Sequence, residues 1–143
     1  MKYVAGITSL ALLLAGCATT AVPATGAPNT NAVTINADAT QRQIQDILNT
    51  HQSAPTTFVF ARGKYLMTDP AGIRVPTGAT LELGAAKFEW ATSITSDGQT
   101  FLVENAPNVS FNGGTIIGQR DAWDRGANVA GIRVRGRSDN LLS

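Results

Sequence analysis

Three ten-residue segments share one pattern of apolar residues, and this repeat constrains the fold more than any other feature. They are residues 58–67, 81–90 and 109–118, and they begin 23 and 28 residues apart. Each has apolar residues at its first, third and eighth positions, as expected for strands with one buried face. The repeat predicts inward stacks of equivalent residues, with Phe60, Leu83 and Phe111 one above another. The full inward set comprises Phe58, Phe60, Tyr65, Leu81, Leu83, Phe88, Val109, Phe111 and Ile116.

A second, shorter element recurs after each of these segments. It comprises residues 73–75, 101–103 and 132–134, and a fourth copy of the first segment begins at residues 140–142. Periods of 23 to about 30 residues with two or three short strands each are typical of a solenoid, whose repeats bury their apolar faces against one another. The alternative is a sandwich of hairpins, which explains the alternation but not the ordered recurrence of both elements.

One amphipathic helix precedes the repeats. Thr40 and Gln43 fit a capping box, and Ile44, Ile47 and Leu48 then fall on one face. The pattern predicts a helix over residues 40–51, with His51 close to its last carbonyl groups. A helix this short is unstable alone, so its apolar face must cover another part of the fold.

Residues 58–65, FVFARGKY, and residues 108–116, NVSFNGGTI, resemble structural phrases of the pectate lyase superfamily. The likeness covers residues 38–143. It implies an all-β fold: a right-handed parallel β-helix, or single-stranded solenoid, with a short N-terminal capping helix. Residues 36–143 would form its N-terminal coils, incomplete at the C-terminus.

The same resemblance implies a polysaccharide lyase or glycoside hydrolase that acts on an acidic polysaccharide, with calcium as a cofactor by resemblance only. The catalytic phrases of polygalacturonase-like hydrolases (Asn-Thr-Asp, Asp-Asp, Gly-His-Gly and Arg-Ile-Lys) are missing, and no acidic calcium-binding cluster is evident. We therefore expect this chain alone to be inactive and a full-length form to carry the chemistry. The alternative is a non-catalytic adhesin or structural envelope protein.

The N-terminus has the features of an export signal. Lys2 precedes a short apolar run, and residues 14–17, LAGC, resemble the lipobox of bacterial lipoproteins. The resemblance implies removal of residues 1–16 and lipidation of Cys17, which would attach the protein to a membrane. Thr19 is not the aspartate of an inner-membrane retention signal, which favours the outer membrane if the source is Gram-negative. An ordinary secretory signal that happens to contain a cysteine is the alternative.

Composition narrows the remaining choices. Residues 17–35 are rich in Ala, Thr, Pro and Asn and predict a flexible tether. The eleven Lys and Arg residues of the chain include Lys2, so the mature chain has ten against ten Asp and Glu. A neutral chain gives no electrostatic reason to expect nucleic-acid binding.

Candidate binding residues cluster in residues 119–128, which interrupt the repeat. Trp123 is a candidate for stacking on a sugar ring, and its neighbours Arg120, Asp121, Asp124 and Arg125 for bonding hydroxyl or carboxylate groups. Arg133 and Arg135 alternate along the following strand and extend this basic surface. The plainer interpretation is that Trp123 folds back over the protein and the charges only solvate the loop and strand. Asp121 and Asp124 as an acid–base pair, and His51 as a base, are weaker hypotheses.

Overall fold

A computed structural model describes residues 31–136, and the predicted signal, Cys17 and the fourth repeat at residues 140–142 lie outside them. The described chain contains one α-helix, eight strands and a short 3₁₀ turn. In chain order they are β1 (Ala32–Ile35), α1 (Gln41–Thr50), β2 (Thr56–Phe60), β3 (Lys64–Met67), β4 (Ile73–Arg74), β5 (Ala79–Trp90), β6 (Gly98–Glu104), β7 (Ser110–Ile117), the 3₁₀ turn (Arg120–Ala122) and β8 (Val129–Arg135).

The strands form two sheets in which every pairing is parallel. The larger sheet has the order β1-β2-β5-β3, with β7 also paired to β5, and the smaller has the order β4-β6-β8. Because β5 is twelve residues long, its first part pairs with β2 and its last part with β3. Parallel pairing throughout excludes the sandwich of hairpins for the described residues.

The predicted all-β, right-handed parallel β-helix is wrong for the described residues. They are mixed, with 46% strand and 12% helix, and the parallel sheets curl into a half-barrel. The large sheet bends where β5 reaches Gly84, whose positive φ of 49° breaks the extended backbone. Residues 31–136 therefore form curled, open parallel sheets with a helix against them, and not the closed coils of a solenoid.

The shorter repeated element is confirmed residue by residue. Ile73 pairs with Phe101, and Phe101 pairs with Ile132. The longer element is confirmed at its eighth position, where Phe88 lies between Tyr65 and Ile116. We call β2 to β4 the first layer, β5 and β6 the second, and β7 and β8 the third.

The predicted stack of Phe60, Leu83 and Phe111 is wrong at its last member. Phe111 pairs with Leu81, although Leu83 is buried as expected. The register shifts between Glu82 and Lys87, and β7 crosses this bend with two residues fewer than β5. Gly114 makes the shorter crossing possible, since a Cβ there would lie 2.7 Å from the Leu83 Cβ.

The helix forms as the capping pattern predicts. Gln43 N donates to the Thr40 hydroxyl (3.2 Å), and Thr40 N donates to Gln43 Oε1 (2.8 Å). His51 Nδ1 lies 2.8 Å from the Ile47 carbonyl oxygen, at the helix C-terminus. The predicted tether is corrected at its end, because residues 32–35 form β1 and Ile35 is fully buried.

An aromatic cluster fills the core and links the layers. Phe88 stacks on Tyr65 with ring centroids 5.1 Å apart and meets Phe101 edge-on at 4.9 Å. Phe60 meets Phe88 at 5.5 Å, and Phe111 meets Phe101 at 5.3 Å. The Tyr65 hydroxyl donates to the Ala61 and Ile35 carbonyl oxygens. Burial, with a smaller effect from the Asp38 carboxylate, raises the pKa of Tyr65.

Two glutamines attach α1 to the first layer. The buried Gln41 accepts from the backbone N–H groups of Thr68 and Asp69 and donates to the Asp69 carbonyl. Gln45 makes the same two-way contact with the backbone of Arg74. These side chains satisfy backbone groups just after β3 and on the free edge of β4, which no neighbouring strand pairs within residues 31–136.

A candidate carbohydrate-binding loop

Residues 119–128 connect β7 to β8 and are fixed against the preceding connection, residues 91–97. Asp124 N donates to the Thr95 carbonyl oxygen at 2.8 Å, and Asn128 N donates to Asp97 Oδ1 at 2.6 Å. Gly98 N in turn donates to the Asn128 carbonyl oxygen. Backbone contacts at its middle and at its C-terminal end give the loop a defined position.

Trp123 packs between this loop and the hydrophobic core. Its ring meets Trp90 edge-on, with centroids 5.8 Å apart and planes at 84°. It also covers Gly118, where a Cβ would lie 2.6 Å from the indole. Trp123 is half-buried and packs against the core cluster. This geometry favours the interpretation in which Trp123 folds back over the protein, and it leaves little of the ring for stacking on a sugar.

The indole N–H group of Trp123 lacks a hydrogen bond. Within residues 31–136, Nε1 is buried without a hydrogen-bond partner. In contrast, Trp90 Nε1 donates to the Thr100 hydroxyl at 2.9 Å. A buried donor without an acceptor lowers the free energy of unfolding, and the packing of the ring against Trp90 and Gly118 must offset this loss.

The four charged residues of the loop all face solvent. Arg120, Asp121, Asp124 and Arg125 are exposed, and no ion pair joins them among the described residues. The loop therefore presents two guanidinium groups and two carboxylates with their hydrogen-bonding capacity free. These groups suit a ligand with both hydroxyl and carboxylate groups, because guanidinium donates to carboxylate and carboxylate accepts from hydroxyl.

The two arginines of β8 lie in different surroundings. Arg133 Nη2 donates to the carbonyl oxygen and to Oδ1 of Asn128, at 2.9 and 3.0 Å, so it belongs to the loop. Arg135 is the register partner of Glu104, six residues from the start of the strand. At about 3.3 Å per residue, the Cα atoms of Arg133 and Arg135 lie roughly 7 Å apart on one face of β8. Of the two arginines, only Arg133 bonds a residue of the loop.

Neither His51 nor the pair Asp121 and Asp124 has the geometry of a catalytic group. The His51 ring packs edge-on against Phe58 with centroids 6.2 Å apart, besides its contact with Ile47. Asp121 and Asp124 have no contact that fixes the separation of their carboxylates, which acid–base catalysis on a glycoside requires. Sequence reasoning missed a groove beside α1, although Arg74 and Glu104 lie one repeat apart in the sequence and form an ion pair.

Across residues 31–136, His, Cys, Asp and Glu side chains do not gather in groups of three that suit a metal ion. In the same part of the chain, the helices are too short or too polar to cross a bilayer.

Comparison with known proteins adds no relative. No protein-family model, curated protein or solved structure matches this chain.

Proposed function

We propose that this chain is an exported, lipid-anchored envelope protein whose domain binds an acidic polysaccharide through residues 119–128 and Arg133. One observation carries the proposal: a loop fixed by Trp123, Asp124 and Asn128 presents four uncommitted charged side chains to solvent. Functional groups are often held in this way, on a loop that a rigid scaffold positions.

The mixture of charges supports a polysaccharide over a simple anion. Two arginines can each donate to a uronate carboxylate, and two aspartates can accept from sugar hydroxyl groups. Since the backbone of the loop is already fixed by hydrogen bonds, binding has to order mainly side chains, which lowers its entropic cost. The proposal is limited to binding, because no contact fixes the separation of the Asp121 and Asp124 carboxylates that cleavage of a glycoside requires.

Affinity electrophoresis of the full chain in gels containing polygalacturonate, alginate or neutral dextran tests the binding. We expect the two acidic polymers to retard the protein and dextran to leave its mobility unchanged. The double variant Arg120→Ala/Arg125→Ala should lose about tenfold or more in affinity, as charge-assisted hydrogen bonds are removed.

A matched control separates a site from general charge attraction. Arg42→Ala/Arg62→Ala removes the same charge from two exposed arginines of α1 and of the bend between β2 and β3. Equal losses in both double variants would contradict a site at the loop. Retardation that vanishes at moderate salt for every variant would also contradict it, since screening removes attraction between exposed charges.

The lipid anchor is tested separately at Cys17. Labelled palmitate should enter the native protein during growth and be absent from the Cys17→Ser variant. Incorporation into that variant, or none into the native protein, would exclude the lipoprotein assignment.

A non-catalytic adhesin or structural envelope protein is the second candidate. It is favoured by β8, where Ile132 and Val134 are 43% and 48% exposed although their partners Phe101 and Val103 are buried. Exposed apolar surface of this kind marks contacts between proteins. Sedimentation that depends on protein concentration and is lost in Val134→Lys would favour this function.

A further inference from the structure

We propose that a second saccharide subsite lies between the C-terminal end of α1 and the β4–β6 pair, and that it holds one carboxylate-bearing sugar unit. The helix groove, as we call it, is lined by Asn49, Gln52, Arg74, Thr77 and Glu104, among others. The inference rests on the proposed function for its ligand class and adds a place remote from the loop.

The shape of the helix groove suits a single sugar. Its volume is about 290 Å³, at the lower end of the range for small-molecule sites. Val75 and Pro76 supply apolar surface, while most of the other lining groups are polar. A pyranose ring has the same character, with apolar C–H groups and a rim of hydroxyl groups.

The charge of the helix groove favours an acidic sugar over a neutral one. Arg74 Nη1 donates to Glu104 Oε2 at 3.3 Å, and Arg135 is the register partner of Glu104. Arg74 and Arg135 thus place two positive charges on the strands beside the single negative charge of Glu104, and only Arg74 pairs with that carboxylate. The Arg74 side chain is 68% exposed and uses one of its five N–H donors in this contact, so it retains donors for a second carboxylate.

Gln45 holds the polar lining in place before any ligand arrives. It accepts from Arg74 N at 2.7 Å and donates to the Arg74 carbonyl oxygen at 3.2 Å. The same side chain donates to Asn49 Oδ1 at 2.9 Å, which fixes the amide and leaves the Asn49 N–H₂ group as a donor. A lining with fixed geometry loses less conformational freedom on binding.

The end of α1 does not oppose an anion as strongly as a bare helix C-terminus would. The Ile47 carbonyl oxygen contacts the His51 ring, and the Leu48 carbonyl accepts from His51 N. The Asp46 carbonyl accepts from the Thr50 hydroxyl at 2.8 Å. Since the Ile47 and Leu48 carbonyl groups of the last turn have partners, less negative potential remains at the groove.

Two-dimensional ¹H–¹⁵N NMR of the full chain with galacturonate monosaccharide tests the subsite, and galactose serves as the neutral probe. We expect galacturonate to shift the backbone amide signals of residues 49–52, 74, 75, 77 and 104–106. Galactose should shift them about tenfold more weakly, because it lacks the carboxylate. The Arg74→Gln variant should reduce galacturonate binding to the level of galactose.

Controls separate this subsite from the loop and from loss of folding. Lys64→Gln removes the other ion pair between layers, Lys64–Glu89, and should leave binding unchanged. Gln52→Ala changes an exposed side chain and should weaken both sugars equally. Galacturonate shifts confined to residues 119–128 would overturn the subsite and support the loop, whereas no shift in either place, with no polymer retardation, would overturn both. Equal shifts with galactose would overturn the carboxylate contact.

Discussion

The first and the third layer differ in what covers their outer edges. At the first layer, α1 lies beside β3 and β4, and Gln41 and Gln45 bond the backbone there. At the third layer, the described residues place nothing on the far sides of β7 and β8, and Ile132 and Val134 are nearly half exposed. The same apolar positions are therefore fully buried near the helix and partly wet at the other end.

This difference shows that position in the stack, and not residue type, decides what a side chain contributes to stability. Phe101 and Ile132 occupy equivalent places in successive layers, yet only Phe101 has neighbours on both sides. An apolar side chain stabilises the fold in proportion to the surface that it removes from water. We therefore expect a gradient, in which substitutions in the buried core destabilise the fold more than substitutions at either end of the layers.

The largest effect is expected from Phe88→Ala. Phe88 is fully buried and contacts the rings of Phe60, Tyr65 and Phe101, so its removal should lower the free energy of unfolding by about 3–5 kcal/mol. Ile132→Ala at the exposed end should lower it by less than about 1 kcal/mol. Urea denaturation of both variants measures the difference, and similar losses would refute the gradient.

A smaller effect is expected from Gln41→Ala at the covered end. The change removes three hydrogen bonds to the backbone of Thr68 and Asp69 and should lower the free energy of unfolding by about 2 kcal/mol. Gln52→Ala, an exposed glutamine just after the helix, should lower it by no more than about 0.5 kcal/mol. Hydrogen exchange at the Thr68 and Asp69 amides should accelerate in Gln41→Ala alone. If these amides keep their protection, the helix is held by other contacts.

A smaller effect than that of Gln41→Ala is expected at neutral pH from Tyr65→Phe, about 1 kcal/mol for the lost hydroxyl contacts. Its pH dependence is more informative. Because the folded pKa of Tyr65 is raised, the unfolded chain releases this proton first, and stability falls as pH rises past about 10, the ordinary tyrosine value. Thermal unfolding between pH 8 and 11 should show a steeper loss for the native chain than for Tyr65→Phe. Parallel curves would mean that the hydroxyl ionises equally well in both states.

The sequence was informative where a local pattern has one structural solution. The capping box of Thr40 and Gln43 specifies where a helix begins. The repeats at residues 73–75, 101–103 and 132–134 are only three residues long, so their apolar residues align in one register. The third long segment was misregistered because its apolar residues Val109 and Phe111 both fit an inward position. Only the space available beside Leu83 distinguishes them.

Other features depended on contacts that no short pattern encodes. Residues 32–35 were assigned to the tether because they follow a Pro- and Ala-rich segment and are too few to show a periodic pattern. Their structure is decided by pairing with β2. The fold class was misjudged since the repeat specifies parallel pairing but not the curvature at Gly84. The polar candidates of the loop lie together on one exposed segment, as its sequence suggests, yet Trp123 turns inward because Gly118 leaves room for its ring.

The bend at Gly84 and Gly113 has a consequence for how such a sequence can change over time. Between the paired residues on either side of it, β5 runs from Leu81 to Phe88 and β7 only from Phe111 to Ile116, yet both flanking registers are kept. A corner that absorbs a difference of two residues is a place where insertions and deletions leave the aromatic core aligned. Length variation among descendants of this sequence should therefore accumulate at the bend and spare the strands beside it.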